Sequence, residues 1–267
     1  MPAPPSNAPR NTIAAFLDRS GGPRVIAHRG LSGLLPENTV RAFAAALDAG
    51  AEMIELDVFL ARDGVPMVLH DRELDRTTDG QGAAARRSSD ELRALDAGSW
   101  FAPDYSGERI PTLAEVLALV RGRALVNVEI KGEAVTRTIS GGVVERTIEV
   151  IRAADMHEAA LLSSFEPRAL RQAREIDAEI ARASLLHRLR HLGKGPAQIL
   201  ADAESRCFNV GVGELKPGMI EQCHASGAPI LVYTVNDPAE MEKLFAMGVD
   251  GVFTDRVDLG LELLRDL

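Results

Sequence analysis

The chain has 267 residues, 46% of them hydrophobic, and a formal net charge of −9 at pH 7. That length is enough for one large core, and the acidic balance argues against a nucleic-acid-binding surface, which needs clustered Lys and Arg. Two cysteines, Cys207 and Cys223, are too few for a disulfide framework, and neither has a Cys or His at metal-ligand spacing.

The N-terminus is proline-rich, with Pro2, Pro4, Pro5 and Pro9 in its first nine residues, and residues 1–22 read as a partly disordered leader. It lacks the basic start and apolar stretch of a secretory signal. No later run is long and apolar enough to cross a bilayer. A cytoplasmic protein without stable membrane insertion is expected. The barrel proper is expected over 23–266.

From Arg24 onward short apolar strands alternate with amphipathic helices. Strand-like runs are expected at 25–27, 53–60, 125–130, 161–165, 180–186, 207–212, 230–235 and 251–254. Asn38 or Thr39 can cap a helix that carries Val40, Phe43, Ala44 and Leu47 at helical spacing. Leu113, Val116, Leu117 and Val120 repeat that spacing ahead of the third strand, as do Val144, Ile148 and Ile151 after it. Eight strand–helix units in about 250 residues match an α/β fold of the (β/α)8 TIM-barrel type. An open doubly wound sheet is the alternative, weakened because no G-x-G-x-x-G follows the first strand. One region breaks the alternation. Asp63-Gly64 is a hairpin signal. Residues 65–69 return as a short extra strand, and 71–111 read as a small insertion after strand two, too long for a plain loop and placed over the barrel mouth.

The chemistry starts at Ile54-Glu55-Leu56-Asp57-Val58, where a period of two puts both carboxylates on one face of an otherwise apolar strand. Val126-Asn127-Val128-Glu129-Ile130-Lys131 repeats the pattern. Paired acids resist burial unless something positive sits between them. Glu55, Asp57 and Glu129 offer oxygen ligands without thiols, which suits one hard divalent cation, Mg²⁺ or Ca²⁺; ion pairs with Lys131 or Arg29 are the plainer alternative. His28 and His70 each end an apolar strand. Beside a carboxylate cluster they can act as general acid and base. Arg29 and Lys131 supply positive charge for a phosphate. Glu37 either favours a helix start through the dipole or orients Arg29. Phe165 and Tyr233 end strands at the same mouth, where they either wall a small substrate or pack the core. Trp100-Phe101 is a lid contact or the insertion's own core. Thr254-Asp255 reads as a cap for the last helix. His157, His187, His191 and His224 receive no role.

These residues resemble the glycerophosphodiester phosphodiesterase family, related in fold to phosphatidylinositol-specific phospholipases C. The resemblance runs from about Arg24 to Leu264 and rests on an ordered set of motifs. The set comprises Ala27-His28-Arg29-Gly30, Pro36-Glu37-Asn38-Thr39, Ile54-Glu55-Leu56-Asp57-Val58, His70-Asp71 with Leu74, Arg76, Thr77 and Thr78, and Val128-Glu129-Ile130-Lys131. It continues with Ser164-Phe165, Thr234-Val235-Asn236 and Gly251-Val252-Phe253-Thr254-Asp255. The resemblance implies a divalent metal at Glu55, Asp57 and Glu129, an acid–base pair of His28 and His70, and phosphate contacts from Arg29 and Lys131. It implies cleavage of small glycerophosphodiesters, such as glycerophosphocholine and glycerophosphoethanolamine, to sn-glycerol 3-phosphate and an alcohol. The attacking group it suggests is the glycerol 2-hydroxyl. Tyr233 stands where many members have Trp, which bears on the substrate wall rather than on the chemistry. Two other readings remain. One is a phospholipase-like phosphodiesterase acting on lysophospholipid or other lipid headgroups, disfavoured by the lack of a basic amphipathic stretch or long apolar lid. The other is a non-catalytic phosphodiester-binding barrel, disfavoured because every expected catalytic position is filled.

Overall fold

The computed structural model describes residues 12–267. The strands are β1 (Arg24–His28), β2 (Met53–Leu60), β3 (Pro66–Val68), β4 (Leu125–Ile130), β5 (Ala160–Ser164), β6 (Ala181–Leu185), β7 (Cys207–Gly211), β8 (Ile230–Tyr233) and β9 (Gly251–Thr254). The helices are α1 (Ile13–Phe16), α2 (Val40–Asp48), α3 (Ser89–Arg93), α4 (Leu113–Val120) and α5 (Val143–Ala153), then α6 (Pro167–Ile176), α7 (Pro196–Ala203), α8 (Met219–Ala225), α9 (Pro238–Ala246) and α10 (Val257–Asp266).

Every strand but β3 is parallel to its neighbours, and β1 pairs with both β2 and β9, so the sheet closes on itself. An open doubly wound sheet would leave β1 or another strand with a free edge. The fold is therefore a (β/α)8 barrel. β3 lies outside the ring as an antiparallel hairpin arm, pairing Val58 with Val68 and Leu60 with Pro66.

The period-two pattern sorts side chains between two cores. Ile54, Leu56, Val58, Val126 and Val128 face outward into the layer shared with the helices. Ile26, Met53, Leu125, Leu161, Ala183, Cys207, Leu231 and Phe253 fill the lower lumen. Helix starts follow local chemistry. Thr39 accepts from Ala42 N at 3.2 Å, Thr112 and Glu115 form a reciprocal capping box, and α6, α7 and α9 open on proline.

The leader expected over 1–22 divides. Residues 1–11 lie outside the described residues. Ile13 and Phe16 of α1 are 2% and 6% exposed and join the lower-lumen cluster, with Arg24 stacked 5.5 Å from the Phe16 ring centre. They plug the barrel floor, at the end away from the strand C-termini. The insertion also has more order than its composition suggests. Ser88 and Glu91 cap α3 reciprocally. Leu74, Ala84, Leu92, Ala97 and Ile110 pack with Phe59, Met67 and Leu69 into a small core of their own.

Because the plug sits at the floor, Phe16→Ala should cost stability without touching catalysis. Urea unfolding followed by circular dichroism should show a loss of about 3 kcal/mol, typical of a buried Phe truncated to Ala, with kcat unchanged. A loss under about 1 kcal/mol would mean that α1 is not part of the cooperative core.

Candidate active site

The site is assembled at the C-terminal ends of the strands. Adjacent strands β2 and β4 put Glu55 beside Asn127 and Asp57 beside Glu129. Carboxylate oxygens of Glu55, Asp57 and Glu129 all lie within 4.8 Å of one another. Just after β1 the chain turns sharply. Arg29 adopts φ 57° and its N–H donates to Glu55 twice, to the backbone O at 3.0 Å and to Oε2 at 3.1 Å. Gly30 follows at φ 86°, and a Cβ there would lie 2.6 Å from the Ala42 carbonyl carbon. Only glycine meets both conditions, which gives a physical reason for the third residue of His-Arg-Gly.

Two cations balance the cluster. Lys131 Nζ lies 3.3 Å from Asp57 Oδ1 and 3.0 Å from Glu129 Oε1. Arg29 Nε lies 3.4 Å from Asp57 Oδ2, and Asn38 Nδ2 donates to that same oxygen at 3.0 Å. Burial pushes the Asp57 carboxyl up, but Lys131 and Arg29 outweigh it and hold the group well below the usual range. The other two acids are not so compensated. Burial, together with Asp57 and Glu129, raises Glu55 well above its ordinary value. Burial and Asp57 push Glu129 up to about 7.

Each histidine is oriented by a carboxylate. His28 Nδ1 is 2.7 Å from Asp255 Oδ1, and Asp255 also accepts from Ser32 Oγ at 3.0 Å and Asn236 Nδ2 at 2.8 Å. Burial raises Asp255, yet its bonds to His28, Asn236 and Ser32 prevail and bring it to about 2. His70 Nδ1 is 2.6 Å from Asp71 Oδ1. The Arg76 guanidinium bonds Asp71 and lowers it to about 2. Arg76 also grips Glu37 at 2.7 and 2.8 Å, and Glu37 accepts from Arg29 at 3.0 Å. Alternating charges thus link Lys131, Asp57, Arg29, Glu37, Arg76, Asp71 and His70. Burial lowers the His70 pKa against the pull of Asp57, so the ring favours its neutral form.

A cavity of about 140 Å³ opens between these groups. His28, Arg29, Glu55, His70 and Glu129 line its polar side, and Phe165, Leu185, Tyr233 and Phe253 line the other. Asp57, Lys131 and Glu37 stand behind the polar wall as partners of its members. Burial, with Glu214 and Glu129, pushes the Tyr233 phenol up.

Several assignments change with the geometry. Asp255 does not cap the last helix. Arg256 is the residue before α10, and the Asp255 carboxylate turns instead to His28. Of the two readings of Glu37, the geometry shows the contact with Arg29 rather than the helix start: Thr39 caps α2, and Glu37 clamps both Arg29 and Arg76. Trp100 is 38% exposed, with Arg76 6.0 Å from its ring centre, and it joins Phe101 and Tyr105 in an edge-to-face cluster beside the mouth. His187, given no role, packs edge-on against Phe165. His157 and His224 bond Asp177 and Asp250 away from the site. The loop after β6 exposes Leu189 and Leu192, while its Arg188, Arg190 and Lys194 pair with Glu214, Glu166 and Asp202. The rim is therefore more apolar than expected, without free basic charge on that loop. Asp71, Asp255, Arg76, Ser32 and Asn236 were missed as site partners. The signal available for four of them was their place in the motifs, Asp71 and Arg76 in the stretch that opens on His70, Asn236 after Val235 and Asp255 after Thr254; Ser32 lies in none of these motifs.

The donor set fits a divalent cation. It is all oxygen, it converges within one coordination sphere, and two of its acids are buried with too little positive charge to ionise readily. Asn127 Oδ1, buried in the same cavity, has no hydrogen-bond partner.

A parallel barrel that brings an oxygen-donor cluster and two carboxylate-backed imidazoles together at its mouth has the groups that acid–base chemistry on an anionic substrate needs. Residues 28–259 match the glycerophosphoryl diester phosphodiesterase family, and the chain belongs to that family. A glycerophosphodiester phosphodiesterase of Caldanaerobacter subterraneus is 36% identical, covering 90% of this chain and 97% of the relative. An Oleispira antarctica phosphodiesterase, solved in complex with its product sn-glycerol-3-phosphate, is 31% identical with a TM-score of 0.84. That comparison covers 92% of this chain and 98% of the other. A glycerophosphodiester phosphodiesterase from Agrobacterium tumefaciens is 32% identical, with a TM-score of 0.77 over 89% of this chain and 98% of the other. The activity is that of a glycerophosphodiester phosphodiesterase. Among the described residues no helix is long and apolar enough to cross a membrane.

The raised carboxyls make stability depend on pH. Glu129 titrates near 7 in the fold against a usual 4.5, so the folded state binds more protons between those values. Its contribution is complete below the lower value and is lost as pH rises through 7. In chelator-treated protein, Glu129→Gln should flatten the fall in stability between pH 5 and pH 8. An identical fall in variant and parent would show that Glu129 titrates normally.

Proposed function

We propose that the protein hydrolyses small glycerophosphodiesters, glycerophosphocholine and glycerophosphoethanolamine among them, to sn-glycerol 3-phosphate and the free alcohol, with one Mg²⁺ or Ca²⁺. The observation that carries this reading is the cavity that His28, His70, Glu55 and Glu129 line together. Glu55, Asp57 and Glu129 would hold the cation, which, when bound, neutralises phosphate charge and favours ionisation of a nearby hydroxyl. Arg29 and Lys131 add fixed positive charge for the phosphate.

His70, kept neutral by burial, takes the proton from the attacking oxygen at its Nε2, since Nδ1 faces Asp71. His28, whose Nδ1 faces Asp255, delivers a proton from Nε2 to the departing alcohol oxygen. One P–O bond forms and one breaks. With the glycerol 2-hydroxyl as attacker, the first product is a cyclic phosphate. Water then opens the ring with the two imidazoles in exchanged roles. Asp71 and Asp255 stay ionised at neutral pH and keep each ring in the tautomer that the transfer needs.

Product analysis from glycerophosphocholine tests the reading. EDTA should abolish turnover, and Mg²⁺ or Ca²⁺ should restore it. Undiminished turnover in metal-stripped buffer would remove the cation from the reaction. His28→Ala and His70→Ala should each lose roughly 10²–10⁴-fold in kcat, the usual share of general acid–base catalysis, while melting like the parent. A p-nitrophenyl diester, whose leaving group needs little protonation, should rescue His28→Ala and not His70→Ala. The opposite rescue would reverse the two roles.

A separate variant probes the backing acids. Asp255→Asn keeps the shape of the side chain and removes its charge. It should lower kcat by about 10²-fold and displace the pH profile of kcat/KM, with folding unchanged. An unaltered profile would reduce Asp255 to a structural partner.

A further inference from the structure

The two walls of the cavity differ in kind, and that difference bears on the leaving alcohol. Phe165 and Tyr233 stand at right angles, 89° between planes and 6.0 Å between centres, and Phe253 continues the wall below them at 6.4 Å from Tyr233. Beside them sits Glu214, on the turn after β7. A methyl group built on Gly211 would lie 3.3 Å from Glu214 Oε2 and 3.6 Å from Tyr233 Cε2, so the carboxylate and the ring flank the same small gap. Glu214 is held by Arg188 at 2.7 Å, but the Arg188 side chain is 68% exposed. Such a surface pair is weak and readily exchanged.

A polyol laid on this wall would give up water partners that Phe165, Leu185 and Phe253 cannot replace. Glycerol finds better company on the floor, where Asn127 and Asn209 line the cavity. An ammonium group on the aromatic wall is in the opposite position. Aromatic rings attract a cation, and a carboxylate beside them adds to the attraction. We infer that Phe165, Tyr233 and Glu214 form a subsite for a cationic leaving alcohol, of the choline or ethanolamine kind, with Arg188 as its competitor for Glu214. This rests on the reaction proposed above for the same cavity.

The test compares kcat/KM on glycerophosphocholine with that on glycerophosphoglycerol, whose alcohol is neutral. Wild type should prefer the choline diester. Glu214→Gln should cut that preference about 5- to 10-fold, mainly through KM for the choline diester. Arg188→Ala, which frees the carboxylate, should increase the preference. Gly211→Ala, which fills the gap, should lower it. A purely structural Glu214–Arg188 pair would make the first two variants move together. An unchanged ratio in Glu214→Gln, or a loss of preference in Arg188→Ala, would overturn the subsite while leaving the parent reaction standing. A wild type inactive on both diesters would overturn the reaction and the subsite with it.

Discussion

Three carboxylates on two neighbouring strands cannot be buried together unless positive charge reaches them, and the barrel mouth is arranged around that constraint. Lys131 and Arg29 reach Asp57 and keep it ionised. They do less for Glu55 and Glu129, which remain inclined to hold protons. A cluster left short of positive charge is poorly suited to be a finished structural ion network. It is well suited to receive a dication, whose two charges would settle the remaining acids.

The same electrostatics extends to the two imidazoles. Arg29 needs an anion of its own, and Glu37 supplies it; Glu37 is steadied by Arg76, which also fixes the acid behind His70. His28 is set by a second, separate arrangement, in which Asp255 at the end of β9 draws on Ser32 and Asn236. The two imidazoles therefore enter the cavity from opposite supports, one tied to the cation cluster and one tied to the barrel's closing strands. Two rings with different surroundings can differ in proton affinity, which an acid–base pair requires.

Much of this was legible in the sequence because period two and helical spacing are local signals. The alternation of Ile54, Leu56 and Val58 with Glu55 and Asp57 places both acids in the lumen, and β2 does so. Closure of the sheet follows from counting units rather than from any one of them. What escaped were the side-chain partners of the two histidines, from the adjacent Asp71 to residues far along the chain. Asp255 is 227 positions from His28, and Arg76 is 39 from Glu37. Asp255 was read for a helix start because that is the nearest use for an acid there, and its tertiary partner His28 prevailed; of the two readings open for Glu37, contact with Arg29 is the one the fold realises. The plug formed by Ile13 and Phe16 was hidden for a related reason. Its turn of helix is too short to show periodicity, and its apolar face has meaning only against the barrel floor. The ordered motifs compensated in part, since they carried the positions of the acids and histidines without revealing how each is held.

The most direct measurement is calorimetric titration of the metal-free protein with Ca²⁺ or Mg²⁺ at pH 6.5 and pH 8.5, in buffers of different ionisation enthalpy. If the buried acids are short of positive charge, one ion should bind per chain. Binding at pH 6.5 should release protons from the Glu55 and Glu129 carboxyls, and fewer should be released at pH 8.5. Absence of binding, or binding with no proton release at the lower pH, would contradict a carboxylate cluster kept ready for a cation.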